Sequence, residues 1–396
     1  VKSEESREPW IDLLSYLVFE MGEQDLNLSI RNEIAESRSE AVKMRTETVL
    51  EIDKLSKKYD ECEALRDVSF SVNKGELVVI LGPSGSGKST LLMCIAGFVK
   101  PDSGSIILNG TKINDVPPYR RNVGVVFQSM ALFPNMNVFD NIAYPLKIRK
   151  VAKDEIKKRV EKMLEIVGLS GLGGRRITQL SGGQQQRVAI ARTLVFEPSI
   201  LLLDEPLGAL DRKLREEMQG EIKKIHDRVG ATTLLVTHDQ EEAMTMGDRI
   251  LVINGGMIEQ MGTPEEIYNH PKTLFVSEFI GTTNVFKGVA TKEGGKTVFK
   301  AEEGFILPLE KEAKGEGHVS IKAEHIKILE NRPKGDAFVL EAKVAQNFFS
   351  GNFIKYEIDL NGTIFRVIDR DPTQVFKQGQ KVYLKILPEN VKWFPK

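Results

Sequence analysis

Cysteine is almost missing from this sequence: Cys62 and Cys94 are the only two, too few for a disulfide framework and suited to a reducing compartment. An excess of either charge is missing too, because 55 Lys and Arg face 56 Asp and Glu and leave a formal −1. A dedicated nucleic-acid binder usually carries a clear basic excess, so that class is disfavoured. No apolar run approaches the ~18 residues of a membrane-spanning helix. The longest candidate, residues 10–21, includes Asp12 and Glu20. Residues 1–8 are charged and lack a basic segment leading to a cleavage site, so no signal peptide is expected. What is present, 41% apolar and 28% charged over 396 residues, suits a soluble globular chain of two or three domains at ~150 residues each.

Residues 1–48 read apart from the rest, with eleven acids against six bases. Trp10, Leu13, Leu14, Leu17, Val18 and Met21 fall at roughly helical spacing, which predicts one amphipathic helix. Two readings stand for it: a docking helix for a partner, or an appendage ahead of a compact domain that begins near Met44.

From residue 49 strand-like runs follow at 49–55, 68–72 and 76–81, then at 200–203, 233–236 and 250–253. Helical patterns separate them. In residues 153–167, for example, Ile156, Val160, Met163, Leu164 and Val167 share one face. Strands alternating with helices predict an α/β fold with a parallel sheet. Beyond Gly281 short runs at 317–321, 339–344, 354–360, 363–368 and 381–386, with an Asn361-Gly362 turn, predict a small all-β barrel or sandwich. The expected divisions are 1–48, 49–281 and 282–396, with a helical subdomain near 130–190.

The chemistry is concentrated in a few short motifs. Gly82-Pro83-Ser84-Gly85-Ser86-Gly87-Lys88-Ser89-Thr90 fits the P-loop pattern and lies between a strand-like run and a helical one. Its glycines let backbone N–H groups curl around phosphates at a helix N-terminus. Lys88 would then reach the β- and γ-phosphates and the Ser89 hydroxyl would ligate Mg²⁺. The apolar run 200–203 delivers Asp204 to the magnesium and Glu205 to an attacking water. Leu180-Ser181-Gly182-Gly183-Gln184 is a second glycine turn opening onto a helix, and so a second place for an anion.

With these motifs the sequence resembles the ATP-binding-cassette (ABC) family over residues 49–281. The family's LSGGQ turn closes on the nucleotide held by the P-loop of a partner cassette. The resemblance therefore implies that Ser181, Gly182, Gly183 and Gln184 serve the ATP of a second subunit. It also implies that Tyr59 stacks on adenine and that Gln128 is the Q-loop glutamine, close to Mg²⁺. His238 matches the switch histidine at the γ-phosphate, and Asp211 the D-loop aspartate facing the partner. Gly208 departs from the pattern, since many members have Ser there. His226, His270, His318 and His325 have no motif around them and read as structural or surface residues. Cys94, on the apolar P-loop helix, reads as an inert buried thiol.

The resemblance implies a homodimer with two composite MgATP sites. In each, Lys88, Ser89 and Asp204 hold MgATP, while Glu205, His238 and Gln128 serve catalysis. A β-rich tail of OB type (TOBE) after the cassette is similar to that of importer ATPases for sugars, iron, sulfate and polyamines. Residues 193–198, 207–215 and 279–284 look most like the spermidine/putrescine subfamily. That implies two separate membrane permeases, an extracytoplasmic solute-binding protein and a peripheral place on the cytoplasmic face of the membrane. The apolar residues 131–134 and 138–146 form either a groove for the permeases or simply the core of the helical subdomain. Sugar, iron or other anion import is the alternative reading. A soluble ABC ATPase acting on nucleic acid is the remote one, because acids such as Glu341, Glu357 and Asp359 interrupt the tail aromatics.

Overall fold

A run of apolar residues at period one, Leu77–Leu81, is buried on both faces, which suits a strand at the centre of a parallel sheet. The computed structural model describes residues 47–396 apart from 209, 334–337 and 372–373. The amphipathic helix expected within 1–48 lies outside the described residues. In chain order the first part runs β1 (Thr48–Tyr59), β2 (Cys62–Asn73), β3 (Leu77–Leu81), α1 (Lys88–Ala96), β4 (Ser103–Leu108), β5 (Thr111–Lys112) and β6 (Val123–Val126). There follow α2 (Val138–Ile148), α3 (Lys153–Ile166), α4 (Gly182–Leu194), β7 (Ile200–Asp204) and α5 (Arg212–Val229). The part ends with β8 (Thr233–Thr237), α6 (Gln240–Met246), β9 (Arg249–Asn254), β10 (Met257–Gly262), α7 (Pro264–Asn269) and α8 (Leu274–Phe279).

The main sheet has the order β10-β9-β3-β8-β7-β6. Its strands are parallel except β10, which pairs antiparallel with β9. Alternation along β3 splits its side chains between two cores. Leu77, Val79 and Leu81 pack with α2, α3, α4 and α5 through residues such as Val138, Ile142, Val160, Val188 and Met218. Val78 and Ile80 pack on the other side with α1 and the β2-β1-β4-β5 sheet through Leu50, Leu65, Leu91 and Ile106. Each such Leu or Ile contributes ~1.5–3 kcal/mol on burial, so both cores hold the sheet between two layers.

The tail contributes β11 (Thr283–Glu293), β12 (Lys296–Ala301), β13 (Ile306–Pro308), β14 (Gly315–Lys322), β15 (Ile326–Leu329) and β16 (Val339–Phe349). It continues with β17 (Ile354–Leu360), β18 (Thr363–Asp369), β19 (Lys381–Ile386) and β20 (Lys392–Pro395). All are antiparallel, in two five-stranded sheets of order β13-β12-β11-β14-β20 and β15-β19-β16-β17-β18. One core joins the sheets through Phe286, Phe299, Phe305, Tyr356 and Phe365.

Two side chains fix the tail, one joining its own two sheets and one tying it to what precedes it. The amide of Asn284 spans to β18, donating to Arg366 O at 2.8 Å and accepting from Arg366 N at 2.7 Å. The Lys322 ammonium caps the end of α8 by donating to Ser277 O at 2.9 Å and to Ile280 O, and also reaches Thr283 Oγ1 at 3.0 Å. Burial pushes its pKa down to about 8. Cys94 is fully buried, and burial pushes its thiol up to about 11. Among the described residues, no helix is long and apolar enough to cross a membrane.

Candidate nucleotide site

Parallel strands β3, β8, β7 and β6 all end at one edge of the main sheet. In register, Leu81 lies beside Thr237, Val236 beside Asp204 and Leu203 beside Val126. The residues that follow these strands, Gly82, His238, Glu205 and Gln128, therefore emerge together at the carboxyl edge, where ligands of open α/β sheets bind.

The loop after β3 is shaped by close approach. A Cβ on Gly82 would lie 2.1 Å from Ile253 O, and one on Gly87 2.2 Å from Ala64 O. Gly85 and Gly87 also take positive φ, 77° and 100°, which glycine adopts at no steric cost. Gly87 starts α1, so that helix opens with free N–H groups toward the loop. Ser86 Oγ is buried without a partner, and Lys88 Nζ turns back onto Gly82 O at 2.9 Å and Pro83 O at 2.7 Å. Burial pushes the Lys88 ammonium below its usual range. A buried cation resting on carbonyls inside a ring of amide donors is a cradle for polyanionic phosphate. Ser84 and Thr90 complete the loop and the first turn of α1.

Carboxylates face this cradle. Ser89 Oγ donates to Asp204 Oδ1 at 3.4 Å. Burial, and then the charge of Glu205, push the Asp204 carboxyl above its ordinary range. Glu205 itself adopts a left-handed backbone, φ 46°, a strain of ~1–3 kcal/mol for a non-glycine residue. Its amide is tied to Val236 O at 3.0 Å, and its Oε1 lies 3.3 Å from His238 Nδ1. His238 remains 59% exposed at the mouth. A Cβ on Gly208 would lie 3.2 Å from Gln128 Nε2 and 3.6 Å from Glu205 Oε2. Gln128 and Glu205 thus flank the same small residue, and the serine common in the family would crowd that amide. Two neighbouring carboxylates and a hydroxyl are hard oxygen donors, suited to Mg²⁺.

Tyr59 stands at the end of β1, 45% exposed, on a hairpin whose second strand touches Gly87 through Ala64. The second glycine turn lies elsewhere. Ser181 Oγ accepts from Gln184 N at 3.3 Å and Gln184 Oε1 accepts from Ser181 N at 3.0 Å, a reciprocal cap on α4. Gly183 is pressed against α5, where a Cβ would meet Met218 Sδ at 2.8 Å. Among the described residues, no hydrogen bond or ion pair joins Ser181, Gly182, Gly183 or Gln184 to the loop at 82–90. Asp211 Oδ1 accepts from Leu214 N at 3.1 Å and so caps α5.

Several residues around the site carry no motif signal. Glu242 is buried and accepts from Thr237 Oγ1 at 2.6 Å, and burial pushes its carboxyl up. Gln240 Oε1 accepts from Gly281 N at 2.9 Å, so the segment after His238 is tied to the start of the tail. Asn141 is fully buried in α2 and binds the backbone of Phe133 from both ends of its amide, donating at 3.1 Å and accepting at 2.9 Å. The one available signal was a polar residue inside the apolar pattern at 138–146, which lies in α2.

This geometry defines a P-loop ATPase of cassette type, and comparison with known proteins agrees. The ABC transporter family model matches residues 65–208 and the TOBE domain model residues 319–394. The chain belongs to the ABC transporter family and is an ATP-binding, ATP-hydrolysing subunit of a transporter. It is similar to the spermidine/putrescine import ATP-binding protein PotA of Clostridium novyi, 44% identical over 87% of this chain and 97% of that protein. The PotA of Clostridioides difficile is likewise 44% identical, over 87% of this chain and 97% of its own length. The putrescine transport ATP-binding protein PotG of Escherichia coli is 45% identical over 79% and 84%. Among solved structures, cbiO1 of Clostridium perfringens, part of the ABC transporter complex cbiONQ, is 32% identical. It covers 56% of this chain and 90% of its own, with a TM-score of 0.52.

Proposed function

We propose that the chain hydrolyses MgATP to power import of a polyamine through separate membrane subunits. The observation that carries the ATPase reading is the strand register that brings the loop at 82–90, Asp204, Glu205, His238 and Gln128 to one edge. In this reading residues 49–281 are the cassette and 282–396 a β-rich regulatory part. Tyr59 stacks on adenine. The backbone amides from Gly82 to Thr90 cradle the phosphates, and Lys88 leaves its carbonyls to meet the β- and γ-oxygens. Ser89, Asp204 and Gln128 would hold Mg²⁺, which would neutralise charge on the phosphates. Glu205 orients and polarises the attacking water, and His238 donates to the γ-phosphate while resting on Glu205.

Ser181, Gly182, Gly183 and Gln184 are capped and pre-shaped, and among the described residues no hydrogen bond or ion pair joins them to their own loop. Their role is to close on the ATP of a second copy, with Asp211 at the same interface. The working unit is then a homodimer with two composite sites. It sits peripherally on the cytoplasmic face of the membrane, with two permease subunits and a solute-binding protein completing the importer. The names of the relatives support polyamine as the solute. The chain reconstituted with its membrane subunits in vesicles should hydrolyse ATP faster when the spermidine-loaded binding protein is added. Stimulation by a sugar- or iron-loaded binding protein in place of the polyamine one would overturn the choice of solute.

A further inference from the structure

We infer that Arg215 is a positioning residue that links the switch loop of one ATP site to the turn serving the other. The inference rests on the two-site reading above. Arg215 lies in the first turn of α5, one turn beyond Asp211. Its Nη2 donates to Leu210 O at 3.1 Å and its Nη1 to Asp239 Oδ2 at 3.2 Å. One planar guanidinium therefore bridges the loop after Glu205 to the loop carrying His238, a geometry that a lysine ammonium cannot reproduce.

Both ends of the bridge lead to chemistry. On one side, Asp239 follows His238 and caps α6, accepting from Glu241 N at 2.8 Å and Glu242 N at 3.3 Å through Oδ1. Its own N–H donates to Thr237 Oγ1 at 3.0 Å, so the turn holding His238 is fixed at both flanks. On the other side, Leu210 is buried, and a Cβ on Gly182 would lie 3.4 Å from Leu210 Cδ2. The turn that closes on the partner's ATP thus rests on the residue whose carbonyl Arg215 holds. Displacement of either loop is transmitted through a short, rigid path rather than through solvent.

The bridge is also incomplete. Arg215 Nε is buried without a hydrogen-bond partner, 4.0 Å from Glu242 Oε1. A small rotation of α5 against α6 would bring that pair within hydrogen-bond distance, and with it a second arrangement of the two loops. Coupling between distant sites requires an element of that kind.

The test compares full-length wild type with Arg215→Lys, Asp239→Asn and the double variant. Asn keeps the helix cap, and Lys keeps the charge and most of the stem. ATP affinity, kcat and the Hill coefficient for ATP are measured, with Tm as a check on folding. Each single variant should lose about tenfold or more in kcat with ATP affinity within about twofold. The Hill coefficient should fall from about 2 toward 1, and the double variant should be no worse than either single one. Full activity in Arg215→Lys, or losses that multiply in the double variant, would overturn the bridge. A wild type without ATP turnover would instead overturn the ATPase reading itself.

Discussion

At Asp204 the folded chain holds more negative charge than it neutralises. Burial and the neighbouring Glu205 push the carboxyl upward, so at neutral pH its ionised form costs the folded state something that the unfolded state avoids. Asp204→Asn should therefore raise the Tm of the nucleotide-free chain near pH 7 while removing Mg²⁺-dependent turnover. The gain should shrink as pH falls through the raised Asp204 pKa and vanish well below 3.8, where the carboxyl is neutral in both states. Thermal melts at several pH values check the sign. The cysteines offer a second test at the same scale. Cys62 is exposed and pairs across the hairpin with Tyr59, whereas Cys94 is buried. One thiol should react with a maleimide in the native protein and two after denaturation. Adenine stacked on Tyr59 should slow labelling of Cys62 several-fold when ATP is added, as followed by mass spectrometry. The P-loop residues were readable from sequence because their chemistry dictates type and spacing: a loop that wraps phosphate needs glycine where a Cβ would lie within about 2.2 Å of a neighbouring carbonyl oxygen. Arg215, Glu242 and Asn141 were not, because their roles arise only from which backbone atoms the fold places within reach.

Elements show the same division. Runs buried on one helical face, such as Ile156, Val160, Met163 and Leu164 of α3, announce themselves by period. Residues 354–360 and 381–386 stand as strands at the limits their alternation implied. β1 and β2 were harder: they extend to twelve residues each, through bulges that break the alternation near Leu55 and Lys57. Strands such as β13 and β20 are too short to declare a period. Position within α2 also matters. Asn141 is the buried post for the backbone between 133 and 137, reaching Met136 O at 3.3 Å and Asn137 O at 3.0 Å besides Phe133. Asn141→Leu would fill the space but leave those groups unmet, at a cost of ~1–3 kcal/mol. A lower urea midpoint with an unchanged m-value is the expected result. The loop that leads from Gln128 should loosen first, seen as faster amide exchange at Phe133.

In the whole molecule hydrogen-bonded joints tie the tail to the part that precedes it and join the tail's own sheets. Cassette-side α8 is held to the tail by Lys322, the tail's sheets are joined by Asn284, and Gln240 ties the segment after His238 to the same junction. Sequence texture marked the change near Gly281 but gave no sign of these ties, since each joins residues far apart in the chain. Nor could it reveal that the tail forms two five-stranded sheets around one core, because sheet order depends on long-range pairing. The division of labour between two glycine turns, one facing its own carboxylates and one pressed on α5, becomes physical only in the assembled fold. That division is the central claim, and Glu205→Gln tests it most directly. With ATP and Mg²⁺, sedimentation should show this variant accumulating as a dimer that retains about two ATP per pair, with turnover reduced by about a hundredfold or more. Normal turnover, or an ATP-loaded species that stays monomeric, would contradict it.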